Sequence, residues 1–248
     1  MMAGAPAPAT TVEQLTARFA VLDIEGTTSA AEAIVGDLYR YARPRLGPWI
    51  DAHRDEPGTA AVVSQVRQDA GLAADAPVAA VVAALHAWMA ADVKATPLKA
   101  LQGRIWADGF ERGELTAHFF PDVIPALRAW SAAGVRLAVY SSGSVTAQRT
   151  WFAHSPDGDL TALIDGFFDT ATAGPKKLAG SYRSIAAALG ATADRLLFLS
   201  DHPDEIAAAA EAGWLTAAVR RAGEPHEAAH FAGHRVVSGL DRLEVSAP

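Results

Sequence analysis

FAVLDIEGTT, residues 19–28, runs four apolar residues into an acid, sets a second acid two positions on, and closes on glycine and two threonines. So short an apolar run, bounded by glycine, reads as a buried strand ending in Asp23. Working outward, the same pattern returns. Residues 135–140 form a second run ending in Ser141-Ser142-Gly143, and 196–199 a third ending in Ser200-Asp201. Residues 214–219 look like a fourth, and 166–169 like a shorter one. Between the runs lie helical patterns over 122–133, 181–189 and 204–212, each followed by the glycine that commonly stops a helix (Gly134, Gly190, Gly213). Strand alternating with helix predicts an α/β fold, a Rossmann-like parallel sheet flanked by helices.

One interval is too long for a single crossover. From Thr28 to Phe119 the patterns are almost entirely helical, over 31–41, 59–69, 78–95 and 98–108. This predicts an inserted α-helical cap domain standing over the sheet. The expected division is a flexible leader over 1–18, rich in alanine and proline, a core from 19–30 and 116–248, and the cap over 31–115.

Half of the 248 residues are apolar and 20% are charged, as in an ordinary soluble domain. A net charge of −7 argues against a nucleic-acid partner, which calls for a basic stripe. No cysteine is present, so disulfides, thiolate metal sites and a cysteine nucleophile are excluded. The first residues lack the basic start and apolar run of a signal peptide, and no apolar stretch approaches the ~20 residues of a membrane span. The expectation is a cytoplasmic protein with no membrane association. No long apolar helix face is left over once core and cap are built, which favours a monomer.

In an open parallel sheet, ligands bind beyond the carboxyl ends of the strands. Three strands end there in polar groups: Asp23 and Glu25; Ser141 and Ser142; and Asp201, with Glu205 one helical turn later. A single acid at a strand end often does no more than cap a helix. Three such ends together are harder to dismiss. Converging carboxylates repel one another unless a cation lies between them, and an all-oxygen donor set suits Mg²⁺. A serine- and glycine-rich loop after a strand offers hydroxyl and N–H donors to a phosphate. Lys176, one of only four lysines, follows Gly174-Pro175 and would add positive charge.

These residues together resemble a known pattern. Asp23-Ile-Glu25-Gly-Thr27, Ser141/Ser142, Lys176 and Asp201-x-x-x-Glu205 stand in the order of the haloacid-dehalogenase-like hydrolases. The usual first motif there is DxDGT; here Glu25 replaces the second Asp. With YSSGS, FFDT, SYRSIA, LFLSD and the cap stretch LKALQGRIWADGFERGEL, that departure resembles the acireductone synthase (enolase-phosphatase) family. The likeness spans about residues 19–219. It implies a Mg²⁺-dependent enzyme of methionine salvage that enolises 2,3-diketo-5-methylthiopentyl-1-phosphate and then hydrolyses its phosphate. It further implies Asp23 as nucleophile and metal ligand, and Glu25 as acid/base and donor of a main-chain carbonyl to the metal. Ser141, Ser142 and Lys176 would hold the phosphoryl group, and Asp201 would be a second carboxylate ligand. Glu205 would act through water or by orienting Lys176.

Rival readings are a different small-metabolite phosphatase on the same core, such as a phosphoglycolate-type enzyme, a dehalogenase, or a binding protein that has lost catalysis. Glu25 speaks against the first two, and the intact set of Asp23, Lys176 and Asp201 against the last. His226-Glu-Ala-Ala-His230 formally matches the HExxH zinc-protease helix, and His234 continues its spacing. It follows the last expected core strand and a Gly-Glu-Pro turn, so a chance match is the expectation. His202 and Asp204 read as exposed helix-start residues. The six tryptophans read as core packing, with Trp106 open to a role in the pocket.

Overall fold

Phe19–Leu22 lies at the middle of the sheet because both of its faces need cover: all four side chains are buried. The computed structural model describes residues 12–91, 93 and 95–248. Its strands are β1 (Glu13–Thr16), β2 (Phe19–Leu22), β3 (Arg136–Tyr140), β4 (Ile164–Phe168), β5 (Leu196–Ser200), β6 (Leu215–Val219), β7 (Val236–Val237) and β8 (Leu243–Ser246). Six of them form one parallel sheet in the order β4-β3-β2-β5-β6-β7. Within it Leu22 sits opposite Val139 of β3 and Leu199 of β5.

The leader expected over 1–18 is not without structure throughout. Residues 1–11 lie outside the described residues, but Glu13–Thr16 is a strand, paired in parallel with β8 as a separate two-stranded sheet. Its alternating burial, with every second side chain outward, suits a strand covered on one face only.

The described residues divide into two compact units. Glu32–Thr116 forms one; the segments before Glu32 and after Thr116 form the other. The first is all helical. A π-helical turn, Glu32–Asp37, leads into α1 (Leu38–Ala42), followed by α2 (Leu46–Ala52), α3 (Pro57–Asp69), α4 (Val78–Ala90) and α5 (Thr96–Glu111). Apolar residues three and four apart, Val81 and Leu85 on α4 and Leu98, Leu101 and Ile105 on α5, meet in a core of the unit's own. Trp106 donates its indole N–H to the Leu38 carbonyl at 2.8 Å. The helix expected over 78–95 ends at Ala90, and Lys94 lies outside the described residues. Helix α2 was hidden by Gly47-Pro48, yet a proline in a first helical turn loses no hydrogen bond.

The other unit adds α6 (Val123–Ala132), α7 (Val145–Ala153), α8 (Ala179–Leu189) and α9 (Pro203–Glu211). Tyr182 of α8 anchors one side of the sheet, edge-on to Tyr140, Phe198 and Trp214 with ring centroids 5.0–5.6 Å away. Trp130, Trp151 and Trp214 are all buried, as core packing requires.

Candidate active site

The register of β2 against β5 sets the site. The Asp23 N–H continues the ladder by donating to the Leu199 carbonyl at 2.9 Å, which carries Asp23 to the strand's carboxyl end beside Ser200 and Asp201. The chain then folds into a tight turn in which the Ile24 carbonyl accepts from the N–H groups of Thr27, Thr28 and Ser29. Gly26 has a left-handed φ of +70°, and a methyl group there would collide with the Asp201 carboxylate. Thr27 Oγ1 in turn accepts the Asp201 N–H at 2.9 Å. The turn after β2 and the end of β5 are thus clasped together.

Lys176 reaches the same place from the loop after β4. Its ammonium donates to Asp23 Oδ1 at 2.5 Å and pairs with Glu205 Oε2 at 2.7 Å, with all three side chains buried. The loop is held by three hydroxyls, each donating to a successive carbonyl: Tyr140 to Gly174, Ser181 to Pro175 and Tyr182 to Lys176, at 2.7–2.8 Å. Glu205 also accepts from the Ser200 hydroxyl at 2.8 Å. It therefore orients Lys176 directly.

Two carboxylates share this one ammonium. Burial pushes the Asp23 carboxyl up to about 6; Lys176 pulls it down, and Glu205 adds to the rise. Burial works against the charged form of Lys176, but Asp23 and Glu205 outweigh it and hold the ammonium above its ordinary range. Asp201 is also raised, first by burial and then by the charge of Asp23, with His226 and Lys176 opposing. The strand ends carry more negative charge than one lysine balances.

Ser141 and Ser142 leave β3 next to Asp23, Ser141 buried and Ser142 exposed. Gln148 of α7, which carried no signal in the sequence, holds this loop: its side-chain amide donates to the carbonyls of Gly143 at 2.7 Å and Phe168 at 2.8 Å. Ser144 caps α7 by accepting the Ala147 N–H. Asp169, from the FFDT stretch, is structural, accepting the N–H groups of Val145, Ala171 and Thr172. Glu25 is exposed at the turn, which is closed by the Gly26 N–H donating to the Ser29 carbonyl.

His226-Glu-Ala-Ala-His230 forms turns rather than a helix, so its imidazoles share no helical face. One of them nevertheless enters the site: His226 Nδ1 lies 2.9 Å from Asp201 Oδ2. His202 is not simply an exposed residue at a helix start. It accepts the Asp204 N–H at the start of α9, and its ring stands 4.6 Å from that of His226.

Among the described residues no group of three or more His, Cys, Asp or Glu side chains is arranged to hold a metal ion unaided. A Mg²⁺ site does not need one. Magnesium takes one or two carboxylates and fills its remaining positions with water, carbonyl oxygen and substrate phosphate. Asp23, raised by burial and by Glu205, and Asp201, raised by burial and by Asp23, are an all-oxygen pair whose excess charge a divalent cation would neutralise, so the donor set fits.

The family model described as haloacid dehalogenase-like hydrolase matches residues 18–213. An enolase-phosphatase E1 of Frankia alni is 55% identical over 232 residues, covering 93% of this chain and 97% of the relative. Another, of Saccharopolyspora erythraea, is 52% identical over 230 residues, covering 92% and 96%. The chain belongs to the enolase-phosphatase E1 family of haloacid dehalogenase-like hydrolases. Among solved structures, the UTR4 protein of Saccharomyces cerevisiae is similar at 32% identity with a TM-score of 0.77, covering 90% of this chain and 98% of that one. As an enolase-phosphatase the chain is a phosphatase of methionine salvage that acts on a small phosphorylated substrate, and enzymes of this family are generally metal-dependent.

Proposed function

We propose that this enolase-phosphatase enolises 2,3-diketo-5-methylthiopentyl-1-phosphate and hydrolyses its phosphate to acireductone through an aspartyl-phosphate on Asp23, as a Mg²⁺-dependent cytoplasmic monomer. The observation that carries the reading is the buried Lys176, bonded at once to Asp23 and Glu205 where the chain also delivers Asp201. Among the described residues no helix is long and apolar enough to cross a membrane.

In this reading a carboxylate oxygen of Asp23 attacks phosphorus while Glu25 protonates the departing ester oxygen. Glu25 then takes a proton from water, whose oxygen attacks the aspartyl-phosphate. Inorganic phosphate leaves and the Asp23 carboxylate is restored. Ser141 and Ser142 donate to the phosphoryl oxygens, and Lys176 offsets the charge that spreads over them. Asp23, Asp201 and the Glu25 carbonyl would hold Mg²⁺, which when bound supplies positive charge to the phosphoryl group.

Asp23→Asn is expected to abolish phosphate release from the diketone phosphate while circular dichroism stays that of the parent. Chelation with EDTA should do the same to the parent enzyme, and added Mg²⁺ should restore it. Unchanged release from the Asn variant would remove Asp23 as nucleophile. Strong turnover of simple sugar phosphates with none of the diketone would instead indicate a different phosphatase of the superfamily.

A further inference from the structure

The loop leaving β6 touches the site at three points. Arg221 is buried; its Nε and Nη2 both donate to the Thr27 carbonyl, at 3.1 and 2.9 Å, and its Nη1 to Asp122 at 2.7 Å. Glu224 accepts the Ala31 N–H at 2.9 Å, a few residues beyond the turn that carries Asp23. Glu227 accepts the Gly223 N–H at 2.8 Å and closes the loop on itself. The Glu of the apparent HExxH motif is therefore occupied with its own backbone, and His230 is exposed. What this rigid loop presents inward is His226, at Asp201 Oδ2.

Asp201 is buried and packs against Gly26. Its N–H is bound by Thr27, and among the described residues His226 is the one hydrogen-bond partner of its carboxylate. We propose that His226 is a positioning residue for Asp201. In this role, on a loop that Arg221 and Glu224 anchor to the Asp23 turn, the Nδ1–H of His226 sets the carboxylate in place to receive a divalent cation. Outer-shell partners of this kind orient ligating carboxylates, and their loss typically weakens metal binding 10–100-fold. The inference rests on the proposed role of Asp201 as a metal ligand.

The test is direct Mg²⁺ titration by calorimetry, alongside phosphate release, on variants checked for fold by circular dichroism. Asparagine places its amide nitrogen where imidazole has Nδ1, glutamine places it farther out, and phenylalanine offers no donor. His226→Phe and His226→Gln are expected to bind Mg²⁺ about 10-fold or more weakly. His226→Asn should stay within about 3-fold of the parent, short of that 10–100-fold range. His230→Asn should match the parent, whereas a zinc-type HExxH site would lose both histidines alike. Parent-like Mg²⁺ affinity in the folded Phe or Gln variant would overturn the proposal, as would an Asn variant no better than Phe. Asp201→Asn separates the two levels: parent-like Mg²⁺ binding there defeats the assignment of Asp201 itself, whatever His226 does.

Discussion

Gly26 shows how narrowly the first motif is drawn. Its left-handed φ of +70° favours glycine, and the Asp201 carboxylate occupies the space a side chain would need. Gly26→Ala therefore has to push Asp201 or the turn aside, and misplacement of about 1 Å near reacting groups costs on the order of 10²-fold in rate. Phosphate release is expected to fall by about that factor, with the fold retained by circular dichroism; parent-like turnover would mean the turn and Asp201 can separate without consequence. The candidates Asp23, Glu25, Ser141, Ser142 and Asp201 could be named from the sequence because each sits at or near a strand end inside a recognisable motif, and Lys176 because it follows Gly174-Pro175 in another. His226 could not. Its partner is 25 positions away, and nothing local marks the contact. The HExxH spacing that drew attention to it suggested the wrong geometry, since the segment forms no helix. Gln148 was invisible for a related reason: its partners are backbone carbonyls, which leave no trace in side-chain pattern.

At the scale of elements, Asp122 joins three segments. It precedes α6 without capping it by side chain, accepting instead from Arg221 Nη1 and from the Leu240 N–H. Burial alone would raise its carboxyl, but these partners prevail and hold it below the ordinary carboxylate range. A carboxyl lowered by folding stabilises the native state above its unfolded pKa of about 3.9, and that contribution fades as pH falls through the folded value. Asp122→Asn leaves a buried guanidinium short of its counter-charge, so a loss of about 3 kcal/mol is expected at pH 7. In urea unfolding the gap between variant and parent should narrow below about pH 4; a gap independent of pH would mean the charge of Asp122 contributes nothing. The strands β2, β3, β5 and β6 were legible as buried apolar runs. Helix α7 was not, because VTAQRTWFA carries β-branched residues of modest helix propensity and depends on its Ser144 cap and on packing.

For the whole molecule, the long strand-free interval in the sequence corresponds to a unit with a hydrophobic core of its own. Leu85 is fully buried in that core, so Leu85→Ala should cost ~2–5 kcal/mol within it. Hydrogen exchange is the measurement: amides over 32–116 should speed up while those of β2, β3 and β5 keep their rates. Equal acceleration in the sheet would mean that the two units open together. What the sequence left unread at this scale was the pairing of β1 with β8, two short strands of alternating polarity whose match is 230 residues distant. That separation bears on synthesis. Residues 13–16 emerge from the ribosome long before their partner exists, so for most of translation this first strand must remain in water with its hydrogen-bonding edge open. The outward alternation of Glu13-Gln-Leu-Thr16 suits the wait, since a polar, half-apolar ribbon gives a neighbouring nascent chain little to adhere to.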